Sequence, residues 1–312
     1  MEFKHEPIML EECLTYLNIK PDGIYVDGTI GGAGHSSEIV KRLSKEGKLI
    51  GIDRDEEALR ASKERLKEYA NVEYVWGKHE EMKRHLASLG IDKVDGILLD
   101  LGVSSYQIDE ASRGFSYTKE ARLDMRMDQT QAIDAEYIIN HYSEEELARV
   151  FYEYGEEKLS RKMANKIVRT RQTVPITTTT ELADLIRMVN PKTAVDSFKR
   201  VFQALRIEVN GELKELQKAI EDSIMLLKPE GRLCIITFHS LEDRIVKNTF
   251  IQYEGRCTCP KDFPKCVCGY VSYGKILTKK PVIPSEEEQE RNSRSKSAKL
   301  RVFERNTNER VS

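Results

Sequence analysis

A glycine-rich loop and two acids that close apolar runs carry the chemistry most visible in this chain. The loop is Asp27-Gly28-Thr29-Ile30-Gly31-Gly32-Ala33-Gly34-His35-Ser36. It follows the apolar run Ile24-Tyr25-Val26 and opens into an amphipathic segment with Ile39, Val40 and Leu43. Strand, tight turn and helix in that order let a ligand lie against bare main chain, because glycine turns sharply and offers no side chain. A second apolar run, Leu49-Ile50-Gly51-Ile52, ends in Asp53. An acid roughly twenty residues beyond such a loop is placed to accept hydrogen bonds from ribose hydroxyls. The ligand this pattern suits is an adenosine-containing molecule. Taken alone, the loop also fits a plain strand-to-helix turn.

The next acid bears on which molecule. Val94-Asp95-Gly96-Ile97-Leu98-Leu99 reads as a central buried strand, and it ends in Asp100 before the turn Leu101-Gly102-Val103-Ser104-Ser105. In a doubly wound sheet the carboxyl ends of the strands face the ligand crevice. An acid there can accept hydrogen bonds from an exocyclic amine and hold it in line with a methyl group, which favours S-adenosyl-L-methionine. A dinucleotide loop wants a third glycine for close helix–strand packing, and here Ser37 takes that place after Gly32-x-Gly34. Asp100 could also be a simple capping carboxylate. Two other classes stay open: an NAD-dependent oxidoreductase, and a non-catalytic RNA-binding module using the basic stretches and a cysteine cluster. Calorimetry with S-adenosylmethionine, NAD and RNA separates the three.

The elements that position these residues alternate over the first hundred positions. Strands are expected near 24–27, 48–52, 72–76 and 94–100, with helical patterns such as Glu57 to Tyr69 between them. Such alternation means a parallel sheet with helices on both faces. From about Tyr106 to Asn210 no convincing strand occurs. Ser143-Glu144-Glu145-Glu146 and Thr178-Thr179-Thr180-Glu181 read as capping boxes before apolar helical spacing. Alternation then resumes: a helix carrying Leu213, Leu216, Ile220, Ile224 and Leu227, a break at Pro229-Glu230-Gly231, a buried strand at 233–238, and a last strand at 300–303. The expected architecture is a doubly wound, mostly parallel α/β sheet formed by residues 1–105 and 211–312, interrupted by a helical insert at 106–210.

Composition sets the outer limits. Apolar residues make up 39% of the 312-residue chain and charged residues 33%, as in a soluble globular protein. No apolar run approaches the ~20 residues of a membrane span, and the charged N-terminus does not read as a signal peptide, so a cytoplasmic location is expected. The net charge of −2 hides two basic stretches. One holds Lys158, Arg161, Lys162, Lys166, Arg169 and Arg171; the other holds Arg291, Arg294, Lys296, Lys299, Arg301 and Arg305. Each fits a solvated helix face or a contact with nucleic-acid phosphates. Cys13 and Cys234 sit in apolar surroundings and read as small buried hydrophobes. Cys257, Cys259, Cys266 and Cys268 fall within twelve residues. Their density suits a candidate structural zinc site, although Cys-x-Cys is tighter than the usual knuckle spacing.

Several runs in one order resemble the MraW (RsmH) family of bacterial 16S ribosomal RNA cytosine-N4 methyltransferases. They are Asp27-Gly28-Thr29 through Gly34-His35-Ser36, Gly51-Ile52-Asp53-Arg54-Asp55, and Asp95-Gly96-Ile97-Leu98-Leu99-Asp100-Leu101-Gly102-Val103-Ser104-Ser105. Arg113-Gly114-Phe115-Ser116, Leu123-Asp124-Met125-Arg126-Met127-Asp128, Phe202-Gln203-Ala204-Leu205-Arg206-Ile207 and Phe238-His239-Ser240-Leu241-Glu242-Asp243-Arg244 continue the likeness over nearly the whole length. It implies a Rossmann-like class I methyltransferase fold with S-adenosyl-L-methionine as methyl donor. Ala33, Gly34 and His35 are implied at the methionine end of the donor, Asp53 at its ribose and His79 near its adenine, with Asp100 and Gln107 completing the pocket. The implied substrate is the N4 amine of a decoding-centre cytidine in 16S rRNA of the small ribosomal subunit. Asp100 is the expected catalytic residue. Asp124, Arg126 and His239, with the following Glu242-Asp243-Arg244, are candidates for the substrate side. Asp124 and Arg126 also fit a structural ion-pair network, and His239 a core histidine. A homodimer is compatible with so large a substrate, and the oligomeric state stays open.

Overall fold

The computed structural model of the chain describes residues 7–255 and 271–311. The chain divides into two units, Met1–Gly102 with Lys214–Ser312, and Val103–Leu213.

The first unit is built on seven strands: β1 Ile24–Asp27, β2 Lys48–Asp53, β3 Val72–Trp76, β4 Val94–Asp100, β5 Leu227–Thr237, β6 Val271–Ile276 and β7 Lys299–Val311. Their order in the sheet is β3-β2-β1-β4-β5-β7-β6. The first five pair in parallel, while β7 runs antiparallel to both β5 and β6. This is a Rossmann-like, doubly wound, mostly parallel α/β fold. The central strands read as near-continuous apolar runs because helices cover both faces. Ile50, Ile97, Leu98, Leu99, Ile235 and Ile236 have no solvent exposure. Strand order reverses beside β1, so the ends of β1, β2 and β4 open on the edge where such sheets bind ligands.

The later strands depart from the pattern expected of the sequence. The helix Leu216–Leu226 stops before Pro229, and Leu227 is already extended at φ −69°, ψ 140°. The residue preceding a proline disfavours the helical region, so the chain leaves the helix two residues early and β5 begins at Leu227 rather than 233. Its pairing with β4 shifts register between Val94 and Gly96. β6 lies where the sequence pattern marks no strand, and β7 is far longer than 300–303. Beyond Phe303 the sheet positions are held by charges: Glu304 binds Arg232 and Lys275, each at 2.8 Å. Apolar alternation is therefore absent where pairing continues.

The second unit is helical: Ser105–Asp109, Ala135–His141, Glu144–Glu153, Ser160–Arg171, Thr179–Val189 and Ala194–Asn210. Capping boxes begin the helices after Ser104, Ser143 and Thr178, each with a Gln or Glu at the third position. Each such cap satisfies two backbone donors that a helix leaves open. Its own core gathers Leu123, Ile138, Leu147, Phe151, Ile167 and Leu205. The connecting segment 113–131 is irregular but tied down. Arg113 donates to the carbonyls of Arg126 (3.0 Å) and Met127 (3.1 Å). Asn210 accepts from the Met127 N–H at 2.8 Å and donates to the Met125 carbonyl at 2.8 Å.

Gly114 sits at φ +71°, and a Cβ there would lie 2.3 Å from the Arg122 carbonyl oxygen. Gly114→Ala is expected to destabilise the protein by on the order of 3 kcal/mol. Thermal unfolding checks this; a melting temperature equal to that of the wild type contradicts it.

Candidate active site

The parallel strands deliver their terminal acids to one edge. Asp27 ends β1, Asp53 ends β2 and Asp100 ends β4. The loop after β1 is fastened to this frame from several sides. Gly28 N–H donates to the Leu98 carbonyl (2.9 Å) and Ile30 N–H to the Ile52 carbonyl (3.0 Å). Gly31 N–H donates to Asp53 Oδ2 at 2.9 Å, and the Asp100 N–H donates to Thr29 Oγ1 at 2.7 Å. Gly28 has no room for a side chain: a Cβ would meet Leu99 Cδ2 at 2.4 Å and His79 Cβ at 3.3 Å. Ala33 is fully buried and left-handed, at φ 59°, ψ 33°, just before the helix Gly34–Val40. A non-glycine residue in that region costs about 1 kcal/mol, which the loop's many attachments sustain.

The acids are held in contrasting ways. Asp27 is buried and accepts from Ser36 Oγ at 2.7 Å and Thr29 N–H at 3.2 Å. Burial pushes its carboxyl up to about 6 against those hydrogen bonds. Asp53 accepts backbone N–H groups on both oxygens, from Gly31 and from Asp55, each at 2.9 Å, and burial also raises its carboxyl. Asp100 has far less support. Its Oδ1 is buried with no hydrogen-bond partner. Burial, then the Asp27 and Glu242 carboxylates, push it up to about 8. Its side chain keeps 29% exposure, and water reaching it limits that effect. Among the described residues no lysine or arginine pairs with Asp27 or Asp100.

His35 does not supply the missing charge. Its Nε2 lies 2.9 Å from the Ile8 carbonyl, and its Nδ1 lies 4.0 Å from Asp100 Oδ2. A carbonyl only accepts, so Nε2 carries the proton and Nδ1 is bare. Burial lowers the imidazole to about 4, leaving it neutral at physiological pH. His79 opens the short helical turn after β3, beside Gly28, and is likewise buried and held neutral by desolvation. Its Nε2 is buried without a hydrogen-bond partner.

The remaining candidates are engaged locally. His239 caps the helix Ser240–Glu254: its Nδ1 accepts the Glu242 N–H at 3.4 Å, and its Nε2 lies 3.0 Å from Glu242 Oε1. Only part of the run after it faces the crevice. Glu242 acts on Asp100, whereas Asp243 turns to β7 and binds Arg301 through two bonds of 2.6 and 3.1 Å. Gln107 belongs to the second unit, where its Oε1 accepts the Ser104 N–H at 3.0 Å. Asp124 and Arg126 are also in that unit and form a bidentate pair at 2.8 and 2.7 Å. Arg126 spends its other guanidinium nitrogen on the Gln129 (3.1 Å) and Gln131 (2.7 Å) carbonyls. This pair braces the loop 124–131. Cys257, Cys259, Cys266 and Cys268 lie outside the described residues. Cys13 and Cys234 are free and fully buried, and burial pushes both thiols up, which disfavours the thiolate. Among the described residues no three metal-binding side chains converge, and no helix is long and apolar enough to cross a membrane.

Two participants were not singled out from the sequence. In the sequence Asp27 stands only as the first residue of the loop, yet it acts on Asp100 more strongly than Glu242 does. The signal was available, because it closes an apolar run as Asp53 and Asp100 do. The strain at Ala33 had no signal, since alanine rarely marks a left-handed position.

A glycine loop between β1 and the next helix, and acids closing β1, β2 and β4 on this sheet order, are those of a Rossmann-like fold, and the family match makes the class a Rossmann-like methyltransferase. The chain belongs to the MraW methylase family, whose model matches residues 2–306. It is 59% identical over 305 residues to a protein of Clostridium botulinum (strain Loch Maree) named ribosomal RNA small subunit methyltransferase H, covering 97% of this chain and 99% of that one. A protein of Agathobacter rectalis named ribosomal RNA small subunit methyltransferase H 2 is 55% identical over 312 residues, covering 98% and 99%. Among solved structures, an rRNA methylase from Streptococcus thermophilus is similar at 12% identity with a TM-score of 0.44, covering 97% of this chain and 99% of that one.

The state of Asp100 leads to a stability prediction. In the unfolded chain its carboxyl ionises near the usual 3.8, but in the fold burial and the neighbouring acids push it up, toward about 8. Ionisation therefore favours unfolding, and this acid's contribution falls as pH rises from about 4 to about 8. Asp100→Asn is expected to be more stable than wild type near neutral pH, on the order of 1 kcal/mol, and to lose that advantage near pH 4. Denaturant melts at the two pH values test this. A destabilised variant at neutral pH contradicts it.

Proposed function

We propose that this protein is an S-adenosylmethionine-dependent methyltransferase of the cytoplasm. In this reading it methylates the N4 amine of a decoding-centre (P-site) cytidine in 16S rRNA of the small ribosomal subunit. Family membership and the names of the close relatives support the RNA substrate. The observation that carries the reading is Asp100: a carboxyl with a partnerless buried oxygen, at the ligand edge, among other acids. Such a group calls for a ligand that is cationic and for a substrate that donates an N–H. A sulfonium nucleoside and an exocyclic amine satisfy both. A nicotinamide dinucleotide brings a pyrophosphate, which this acidic edge repels, and a non-catalytic RNA module has no use for the site.

When bound, S-adenosylmethionine supplies an electrophilic methyl group on a positively charged sulfur. Asp53 accepts the ribose hydroxyls on the lone pairs its two backbone partners leave open. Ala33, Gly34 and the neutral His35 are placed at the methionine end, and the uncharged His79, whose Nε2 has no hydrogen-bond partner, at the adenine. Cytosine N4 is a poor nucleophile because its lone pair is delocalised into the ring. Asp100 accepts one N–H of that amine, holds the nitrogen in line with the methyl and concentrates electron density on it. Asp100, driven to the carboxylate beside the bound sulfonium with its own proton released to solvent, is suited to take the proton that the amine loses on accepting the methyl group, because its surroundings favour the protonated form. The target base leaves its stack to be presented. We assign substrate recognition to the helical unit, with Asp124 and Arg126 as the brace of its loop.

Incubation with small-subunit RNA and labelled donor, followed by mass mapping, tests this directly. One methyl on a cytidine N4 is expected, with kcat falling by about 100-fold or more in Asp100→Ala. A methyl on a ring carbon, no methylated base, or full turnover by Asp100→Ala overturns it.

A further inference from the structure

Of the two basic stretches, the fold absorbs part of one. Arg301 is held by Asp243, Lys299 lies 3.7 Å from the same carboxylate, and the Arg305 guanidinium sits over the Tyr273 ring at 5.1 Å. The stretch from 158 to 171 stands apart. The helix Ser160–Arg171 buries Ser160, Met163, Ala164 and Ile167. At about 100° per residue the opposite face carries Arg161, Lys162, Lys166 and Arg169, with Lys158 just ahead of the first turn. Lys166 is half-buried and the other four are exposed. None of the five makes an ion pair or hydrogen bond among the described residues. Arg171 differs: it donates to the Ile139 (2.6 Å) and Tyr142 (2.5 Å) carbonyls and belongs to the fold.

This face is built against the helix's own interest. Elsewhere surface cations pair with acids three or four residues away, as in Lys41–Glu38, Arg60–Glu56, Arg149–Glu153 and Lys218–Asp222. From Lys158 to Thr180 there are six lysines and arginines and no aspartate or glutamate, in a chain of net charge −2. Lys158, Lys162 and Lys166 repel one another at four-residue spacing. Arg161 and Lys162 oppose the helix dipole in the first turn, and the residue before the helix, Leu159, provides no side-chain cap. Glu144 touches the face only through Asn165, at 3.0 Å.

A solvated face gains nothing from this arrangement, whereas a polyanion offsets all of it. We propose that Lys158, Arg161, Lys162, Lys166 and Arg169 form an electrostatic docking surface for the phosphate backbone of RNA. The face extends about 16 Å along the helix. It carries cations and Asn165 without an apolar anchor, which suits phosphates better than a protein partner. The choice of 16S rRNA as the RNA rests on the function proposed above.

The test compares Lys158→Gln/Arg161→Gln/Lys162→Gln/Arg169→Gln with a control, Lys41→Gln/Arg60→Gln/Arg84→Gln/Lys218→Gln, which neutralises as many cations on the other unit. Affinity for 16S rRNA is measured across a salt series, and S-adenosylmethionine affinity beside it. The first variant should lose about tenfold or more in rRNA affinity near 0.1 M salt. Its slope of log affinity against log salt should shrink by about 3, at ~0.7 per lost phosphate contact. Arg161→Gln/Lys162→Gln should lose about half of that slope. The control should match wild type, and donor affinity should hold in all. An unchanged slope, an equal loss in the control, or a wild type without rRNA affinity overturns the proposal. So does a variant that loses intact small subunits but keeps naked rRNA, since the face then binds protein. A wild type that binds rRNA through this face yet transfers no methyl leaves this surface standing and removes the methyltransferase reading.

Discussion

The Asp100 carboxyl feels the charge of the Asp27 and Glu242 carboxyls, and among the described residues no lysine or arginine offsets it. That uncompensated negative edge is the constraint around which the site is arranged. Removing a carboxylate from water without a partner is costly, and the usual remedy is a fixed cation. Here the neighbouring histidines are neutral by burial, and the nearest of them turns its proton toward a backbone carbonyl. The cost is retained in the folded protein and relieved only by something that arrives from outside. Active sites store unfavourable electrostatics in this manner when the reaction needs a group whose charge state is easily shifted.

The surrounding loop keeps the arrangement from relaxing. Asp53 holds Gly31, Thr29 holds the backbone of Asp100, and Ser36 holds Asp27. Each bond joins the loop to a different strand end, so the acids cannot separate without breaking the turn. The left-handed, buried Ala33 and Gly28, packed against Leu99 and His79 where a side chain would stand, fix the path of the turn. Dipoles fixed in place before the ligand arrives need not reorganise during the reaction.

Much of this was legible in the sequence, for a physical reason. Parallel strands buried on both faces are nearly pure apolar runs, so β1, β2, β4 and the acids that close them stand out. The helical unit announced itself through Ser143 and Thr178, whose capping boxes the structure contains. What escaped was what depends on long-range pairing. β7 continues through Glu304 because Arg232 and Lys275 are waiting for it across the sheet. Asp243 leaves the crevice because Arg301 lies on the other side of its helix. Arg126 offered a free-looking guanidinium in the sequence, yet carbonyls brought close by the loop fill it. Such commitments are set by the fold, and local pattern carries little trace of them.

The central claim is that a cationic nucleoside settles beside a protonated Asp100 and drives it to the carboxylate. Calorimetric titration of S-adenosylmethionine near pH 7, repeated in buffers of different ionisation enthalpy, measures the protons exchanged on binding. Release of a substantial fraction of one proton by the wild type, absent in Asp100→Asn, is the predicted result. No binding, no release, or the same release from both proteins contradicts the account.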